Sequence, residues 1–173
     1  MMMQAATYLV AETLRDGRSV TLRALKPEDR SAMLAAVGRV GAQSLYRRFF
    51  GAKRGFSEAE VDFFVNVDFV RHVALVAVIN EGRKDTIVGG GRYVVTQDAT
   101  AELAFAVVDE YQGQGIGTLL LRHLIVIARD NGLERLVAEV LPENAPMLAM
   151  FGKHGFATAR SGGAVHVTLN LKD

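Results

Sequence analysis

The sequence predicts a single α/β layered domain (α+β in detail) built on a mixed sheet. Three observations lead there. Runs alternating at period two, the pattern of half-buried strands, recur along the chain. Two of them flank a strongly apolar helical stretch that follows three closely spaced glycines. The elements then read β, helices, βββ, α, β, α and a closing β or β pair, an order that layers helices on a sheet. With 173 residues, half of them hydrophobic, the chain can fill one sizeable core.

Residues 1–18 read as a loosely held N-terminal arm before a domain over 19–173. The opening MMMQAA lacks the basic and longer apolar regions of an export signal. Residues 19–25 (SVTLRAL) alternate and form the first strand. Pro27, Glu28 and Asp29 open a helix, because Pro fits a first turn and acids face the positive end of the helix dipole. A second helical stretch runs over 45–50. Ser57, with Glu60 three residues on, is a capping box that opens a third. Two β-rich runs, 72–79 and 86–96, flank a polar hairpin-like turn over 80–85. A strand over 101–108 leads through the glycines into a helix from Thr118 to about Asp130, stopped by Asn131 and Gly132. A strand over 135–141, a shorter helix over 144–154 ended by Gly155 and a strand over 165–171 complete the chain.

Composition excludes several classes of function. Twenty basic against nineteen acidic residues leave a net charge of +1, so no broad field draws the chain to nucleic acid or a membrane. The absence of cysteine removes disulfides, thiolate metal sites and a Cys nucleophile. Four scattered histidines (72, 123, 154 and 166) lack zinc-ligand spacing, so no metal is expected. The longest apolar stretches fall short of the ~20 residues a bilayer span needs, and a cytoplasmic protein is expected.

The informative segment is Gln112, Gly113, Gln114, Gly115, Ile116, Gly117 and Thr118, between a strand and a helix start. Glycine permits positive φ and close backbone approach to a ligand. A helix start offers unpaired N–H groups and a positive dipole end, which suit a phosphate. A purely structural turn is the rival reading. The Walker loop fails because no lysine follows Gly117, and a dinucleotide fingerprint fails because the spacing is Gly-x-Gly-x-Gly.

Residues 112–117 resemble the Arg/Gln-x-x-Gly-x-Gly/Ala signature of the GCN5-related N-acetyltransferases, the GNAT family, and Val107 to Tyr111 resemble the strand end before it. Downstream, Asn144, the helix after it and Gly155-Phe156 are similar to the family's second motif. Residues 44–51, residues 72–78 and Glu102 with its strand are similar to the catalytic domain of bacterial Pat-type protein lysine acetyltransferases. The resemblance implies a mostly antiparallel mixed sheet with a splayed parallel strand pair, 101–108 and 135–141, and helices on both faces. It implies that acetyl-CoA is the co-substrate and lies in the splay. Backbone groups of Ala106, Val107 and Val108 would pair with the pantetheine arm, and amides from Gly113 to Thr118 would hold the diphosphate. Asn144 would bond near the pantetheine, and Phe151 would line the thioester end.

The implied reaction is attack of an amine on a thioester. A lysine amine is neutral only about once in 2,500 molecules at pH 7, a penalty of roughly 4.6 kcal/mol. A positioned base is worth about 10²–10⁴ in rate. Glu102 shares a strand face with Ala104 and Ala106, leaving space above a carboxylate. Its bland reading is a solvated strand-end acid paired with an arginine; the resemblance implies the general base. The backbone N–H near Val107 would polarise the thioester carbonyl.

Phe151 departs from the Tyr that many relatives use as acid, and Phe has no proton to give. A non-catalytic acyl-CoA-binding module, or a nucleotide-binding domain that shares a glycine loop, are therefore the rivals. The resemblance leaves the acceptor as a protein lysine or a small amine, and implies that its pocket is built from residues 38–68. Oligomeric state is left open, a homodimer included. His123 reads as outer helix face, His72 as the start of a strand with a place near the acceptor as the lesser alternative, Arg47 and Arg48 as a solvated face, Tyr111 as packing, and Met147 with Met150 as core-facing.

Overall fold

A computed structural model describes residues 5–40 and 57–172. Alternation dictates most of its strands: β2 (Ser19–Ala24) buries every second residue, and β3 (His72–Glu81) is buried along nearly its whole length, as a central strand must be. Around them lie β1 (Leu9–Thr13), β4 (Lys84–Gln97), β5 (Thr100–Val107), β6 (Arg135–Val140), β7 (Ala157–Ser161) and β8 (Ala164–Asn170). Among the described residues these eight form one sheet, ordered β1-β2-β3-β4-β5-β6-β8-β7. Every neighbouring pair is antiparallel except β5 with β6.

Among the described residues four α-helices cover the sheet: α1 (Arg30–Val37), α2 (Glu58–Val65), α3 (Ile116–Asp130) and α4 (Ala145–Lys153). Before α1, Asp29 accepts from the Arg23 guanidinium at 2.7 and 2.9 Å and from the Lys26 N–H at 2.8 Å. The capping box before α2 forms as expected: Glu60 N–H donates to Ser57 Oγ at 3.1 Å, and Ser57 N–H to Glu60 Oε1 at 2.9 Å. Met33 of α1 and Phe64 of α2 face Gly90, Arg92, Ala104 and Ala106. On the opposite face α3 lies so close that a Cβ on Gly91 would come 2.8 Å from the Phe105 ring and 3.1 Å from Leu124. Gly132 (φ +81) ends α3: its N–H reaches the Arg129 carbonyl, and Leu133 N–H that of Ala128. No helix among the described residues is long and apolar enough to cross a membrane.

Several expectations are corrected. Part of the expected arm, Leu9–Thr13, is the edge strand β1, whose exposed flank leaves little hydrophobic signal. The turn expected over 80–85 shrinks to Gly82 and Arg83, both at positive φ, because Glu81 pairs with Lys84 and Asn80 with Asp85. The helix after the glycines starts at Ile116, two residues early, with Gly115 at its N-cap. β7, exposed at every position, carried no alternation. The helical stretch expected over 45–50, with Arg47 and Arg48, lies outside the described residues.

Candidate active site

The parallel pair holds register for only three rungs: Thr100 with Arg135, Ala101 with Leu136 and Glu102 with Val137. Beyond Glu102, β5 turns with β4, the register running through Gly91 with Phe105 to Gly89 with Val107, while β6 follows β8 as far as Val140 with Val165. The strands therefore part, and a cleft of roughly 670 Å³ opens between them. Glu102, Ala104 and Ala106 line it from one face of β5, and Leu103, Phe105 and Val107 from the other. Residues from both faces of β5 therefore border the opening.

Strand alternation decides which main-chain groups face the gap. Val108 N–H donates to the Val88 carbonyl at 2.9 Å, on the β4 side. Because a strand repeats every two residues, Ala106 and Ala104 turn their polar groups to β4 as well. Phe105 and Val107 turn theirs to the gap. This corrects the expectation that Ala106, Val107 and Val108 present main chain together: Val107 does, Ala106 contributes its side chain, and Val108 is buried with its carbonyl accepting from Tyr111 N–H at 2.9 Å. Phe105, absent from the expected set, turns its main chain to the gap beside Val107.

At the far mouth the glycine loop meets α3. Gly113 (φ +81) and Gly115 (φ +95) hold left-handed conformations that L side chains resist. The first intrahelical bond runs from Leu119 N–H to Gly115, so the N–H groups of Ile116, Gly117 and Thr118 point beyond the helix end. Gln112, Gly113, Gly115, Ile116, Gly117 and Thr118 all line the cleft; Gln114 does not, its carbonyl accepting from the Arg15 N–H at 3.3 Å. Gln112 donates from Nε2 to the Val107 carbonyl at 3.1 Å and to Asp109 Oδ1 at 3.2 Å, bracing the loop against the strand end.

The third wall is α4. Asn144 lines the cleft but is also the helix N-cap, its Oδ1 accepting from Met147 N–H at 3.4 Å. Phe151 is buried between Phe105 and Phe156, with ring centroids 6.2 and 4.7 Å away. Met147 and Met150 pack against the core as expected and also border the cleft.

Glu102 is exposed at the closed end of the splay. A second carboxylate there, Glu139, was missed; it shares the face of Val137 and stands 3.5 Å from His166 Nδ1. A period-two count from Val137 on β6 would have found it. His72 pairs with Val94, which pairs with Glu102, so all three point to one face. Its Nε2 accepts from Arg92 Nη1 at 2.8 Å and its ring stacks on Phe63 at 4.7 Å. Burial, and then the Arg92 charge, lower its pKa to about 4.

The Tyr111 hydroxyl donates a hydrogen bond to Glu81 Oε2, beside the Arg18 and Arg39 guanidiniums, so packing and anchoring describe it. His123 is not on an open face: it bonds Tyr8 and Glu12, docking the N-terminal segment on α3. Arg15 was missed as well. Asp16-Gly17, just before the alternating run over 19–25, was the available signal for the β1–β2 turn that carries it.

A family model described as "Acetyltransferase (GNAT) family" matches residues 41–156. An acetyltransferase of Pseudomonas aeruginosa is 32% identical over 150 residues, 86% of this chain and 81% of that protein. Acetyltransferase Pat of Mycolicibacterium smegmatis is 33% identical over 157 residues, covering 90% of this chain and 46% of Pat, so the chain spans about half the length of that relative. The GNAT domain of S. lividans PAT superposes with a TM-score of 0.86 at 31% identity, over 94% of this chain and 96% of that one. The yncA structure from Salmonella typhimurium, with its cofactor acetyl-CoA, shares the fold at 18% identity and a TM-score of 0.72, over 89% of this chain and 95% of that one.

Proposed function

The chain belongs to the GNAT family of acetyltransferases, and on that premise we propose that it moves an acetyl group from acetyl-CoA directly to an amine held in the same complex. The observation that carries the reading is the splay itself. One cleft between the parted strands is bordered both by the Glu102 carboxylate and by a glycine-built helix start.

The residues present fit the coenzyme. Loop amides from Gly113 to Thr118 hold the diphosphate, with the dipole of α3 behind them. Main-chain groups of Phe105 and Val107 face a pantetheine arm laid along β5 as an added strand would lie. Asn144 borders its far side, and Phe151 with its aromatic neighbours keeps the thioester end apolar. Acetyl-CoA supplies the activated acetyl group; every other role falls to the chain.

The acceptor enters from the face carrying Glu102, Ala104 and Ala106, where two small side chains leave room beside the carboxylate. Glu102 takes the proton shed by the acceptor, directly or through a water, as nitrogen bonds to the acetyl carbon and the carbon–sulfur bond breaks. A Val107 N–H turned to the gap polarises the carbonyl. The departing thiolate collects its proton from water, because Phe151 has none and the Tyr111 hydroxyl is committed to Glu81. The resemblance of residues 44–51, residues 72–78 and the Glu102 strand to Pat-type protein lysine acetyltransferases supports a protein lysine as acceptor over a small amine.

A panel of lysine peptides and small amines, read by CoA release, tests activity and acceptor class together. Release with a lysine peptide supports the reading. Phe151 favours one rival, a non-catalytic acyl-CoA-binding module, which would bind the coenzyme and release no CoA with any acceptor.

A further inference from the structure

The glycine loop, residues 112–118, contains no basic side chain. Gln112 puts its amide onto Val107 and Asp109. Neutral amides and a helix dipole would then face a diphosphate with two negative charges unaided. A cation does reach this spot, but from the other end of the sequence. Arg15, exposed on the turn between β1 and β2, lines the cleft alongside Gly113 and Gly115. Its Nη1 donates to the Gly113 carbonyl at 3.2 Å and its own N–H to the Gln114 carbonyl at 3.3 Å. Its Nε stands 3.6 Å from where a Cβ on Gly115 would lie.

The guanidinium is thus spread along the loop. One of its five N–H donors is used on Gly113, and the planar fork suits phosphate oxygens. The turn is anchored on both sides: Leu14 N–H bonds the Arg18 carbonyl at 2.8 Å, and Arg18 sits 4.8 Å over the Tyr111 ring. Arg15 is therefore fixed relative to the loop rather than swinging in solvent. Among the described residues that line the cleft, it is the one arginine; Lys153 lies on α4.

Resting on the coenzyme reading above, we propose that Arg15 is a phosphate-binding residue for the diphosphate of CoA, supplying from the β1–β2 turn the positive charge that the glycine loop lacks. No covalent step is involved. The role is charge pairing plus one hydrogen bond that keeps the loop in place.

The test is the affinity of wild type, Arg15→Ala and Arg15→Lys for CoA, dephospho-CoA and pantetheine, by calorimetry or competition. Losing one charge-assisted contact predicts that R15A binds CoA and dephospho-CoA about 10- to 100-fold more weakly. Pantetheine, without phosphate, should bind wild type and R15A alike, and R15K should recover most of the loss. A turn this exposed tolerates the change, and equal melting temperatures will establish that; if R15A unfolds, Arg15→Gln carries the same comparison. Unchanged CoA affinity in R15A would overturn the proposal. So would a loss that vanishes with dephospho-CoA, which would move Arg15 to the 3′-phosphate, or an equal loss with pantetheine, which would make it structural. Wild-type protein that binds no CoA would instead overturn the coenzyme reading beneath it.

Discussion

Glu102 and Val137 are the last register pair between β5 and β6, and the sheet opens directly beyond them. The carboxylate consequently sits where the two strands diverge, with Ala104 and Ala106 the next side chains on its face. If it is the base, Glu102→Gln should lower kcat/KM at neutral pH by about 10²–10⁴ and leave acetyl-CoA affinity unchanged. Glu139→Gln, on the neighbouring strand, should stay close to wild type. Stopped assays of CoA release across pH 6 to 9 check both. Full turnover by E102Q, or a loss confined to E139Q, would move the base to another residue.

The loop prediction separates conformation from space. Gly115 holds φ +95, whereas Gly117 lies inside the first helical turn, and a Cβ there would meet only Met150 Sδ at an ordinary 3.5 Å. Gly115→Ala should cost about 1–2 kcal/mol and weaken acetyl-CoA binding. Gly117→Ala should be nearly silent in both. Urea midpoints and calorimetric affinities of the two variants, measured side by side, decide it; equal effects would mean the loop's shape is not what matters.

Close approach of α3 to the sheet gives a stability prediction remote from the chemistry. A Cβ on Gly91 would lie 2.8 Å from the Phe105 ring and 3.1 Å from Leu124 Cδ1, so two side chains would have to give way together. Gly91→Ala should destabilise by about 1–3 kcal/mol through overpacking, and Phe105→Leu in the same chain should return part of that. Unfolding in urea reads the effect, and additive losses in the double variant would contradict it.

His72 predicts a pH effect of definite sign. Its pKa falls from about 6.5 in the unfolded chain to about 4 in the fold, chiefly through burial and then through Arg92. The folded protein therefore binds fewer protons than the unfolded chain between those values. Stability from this residue is complete above pH 6.5 and is lost as pH drops toward 4, by about 3 kcal/mol in total. The slope of stability against pH over that window should flatten in His72→Gln. An identical slope in the variant would show that other groups carry it.

How much of this was legible in the sequence depends on where each residue lies in the sheet. β2, β3, β5, β6 and β8 were visible because burial on one or both faces imposes a pattern. β1 and β7 occupy the two edges, where exposure on most positions erases that pattern. The helix ends at Gly132 and Gly155 were legible because positive φ there favours glycine. The face of Glu102 followed from counting by two. Which main-chain groups meet the gap did not, because that depends on the β4 register, a long-range property: Ala106 pairs with Gly90, and a shift of one residue would have reversed it. Arg15 and Glu139 each carried a local signal, the Asp16-Gly17 turn and the period-two count along β6, but that both border one cleft follows only from the assembled sheet.

The splay and its loop as one coenzyme site can be tested by a crystal structure of the protein with acetyl-CoA. The account predicts the diphosphate on the amides between Gly113 and Thr118, the pantetheine along Phe105 and Val107, and the thioester beside Phe151. Side chains filling the gap between β5 and β6, with the ligand bound elsewhere or absent at saturating concentration, would contradict it.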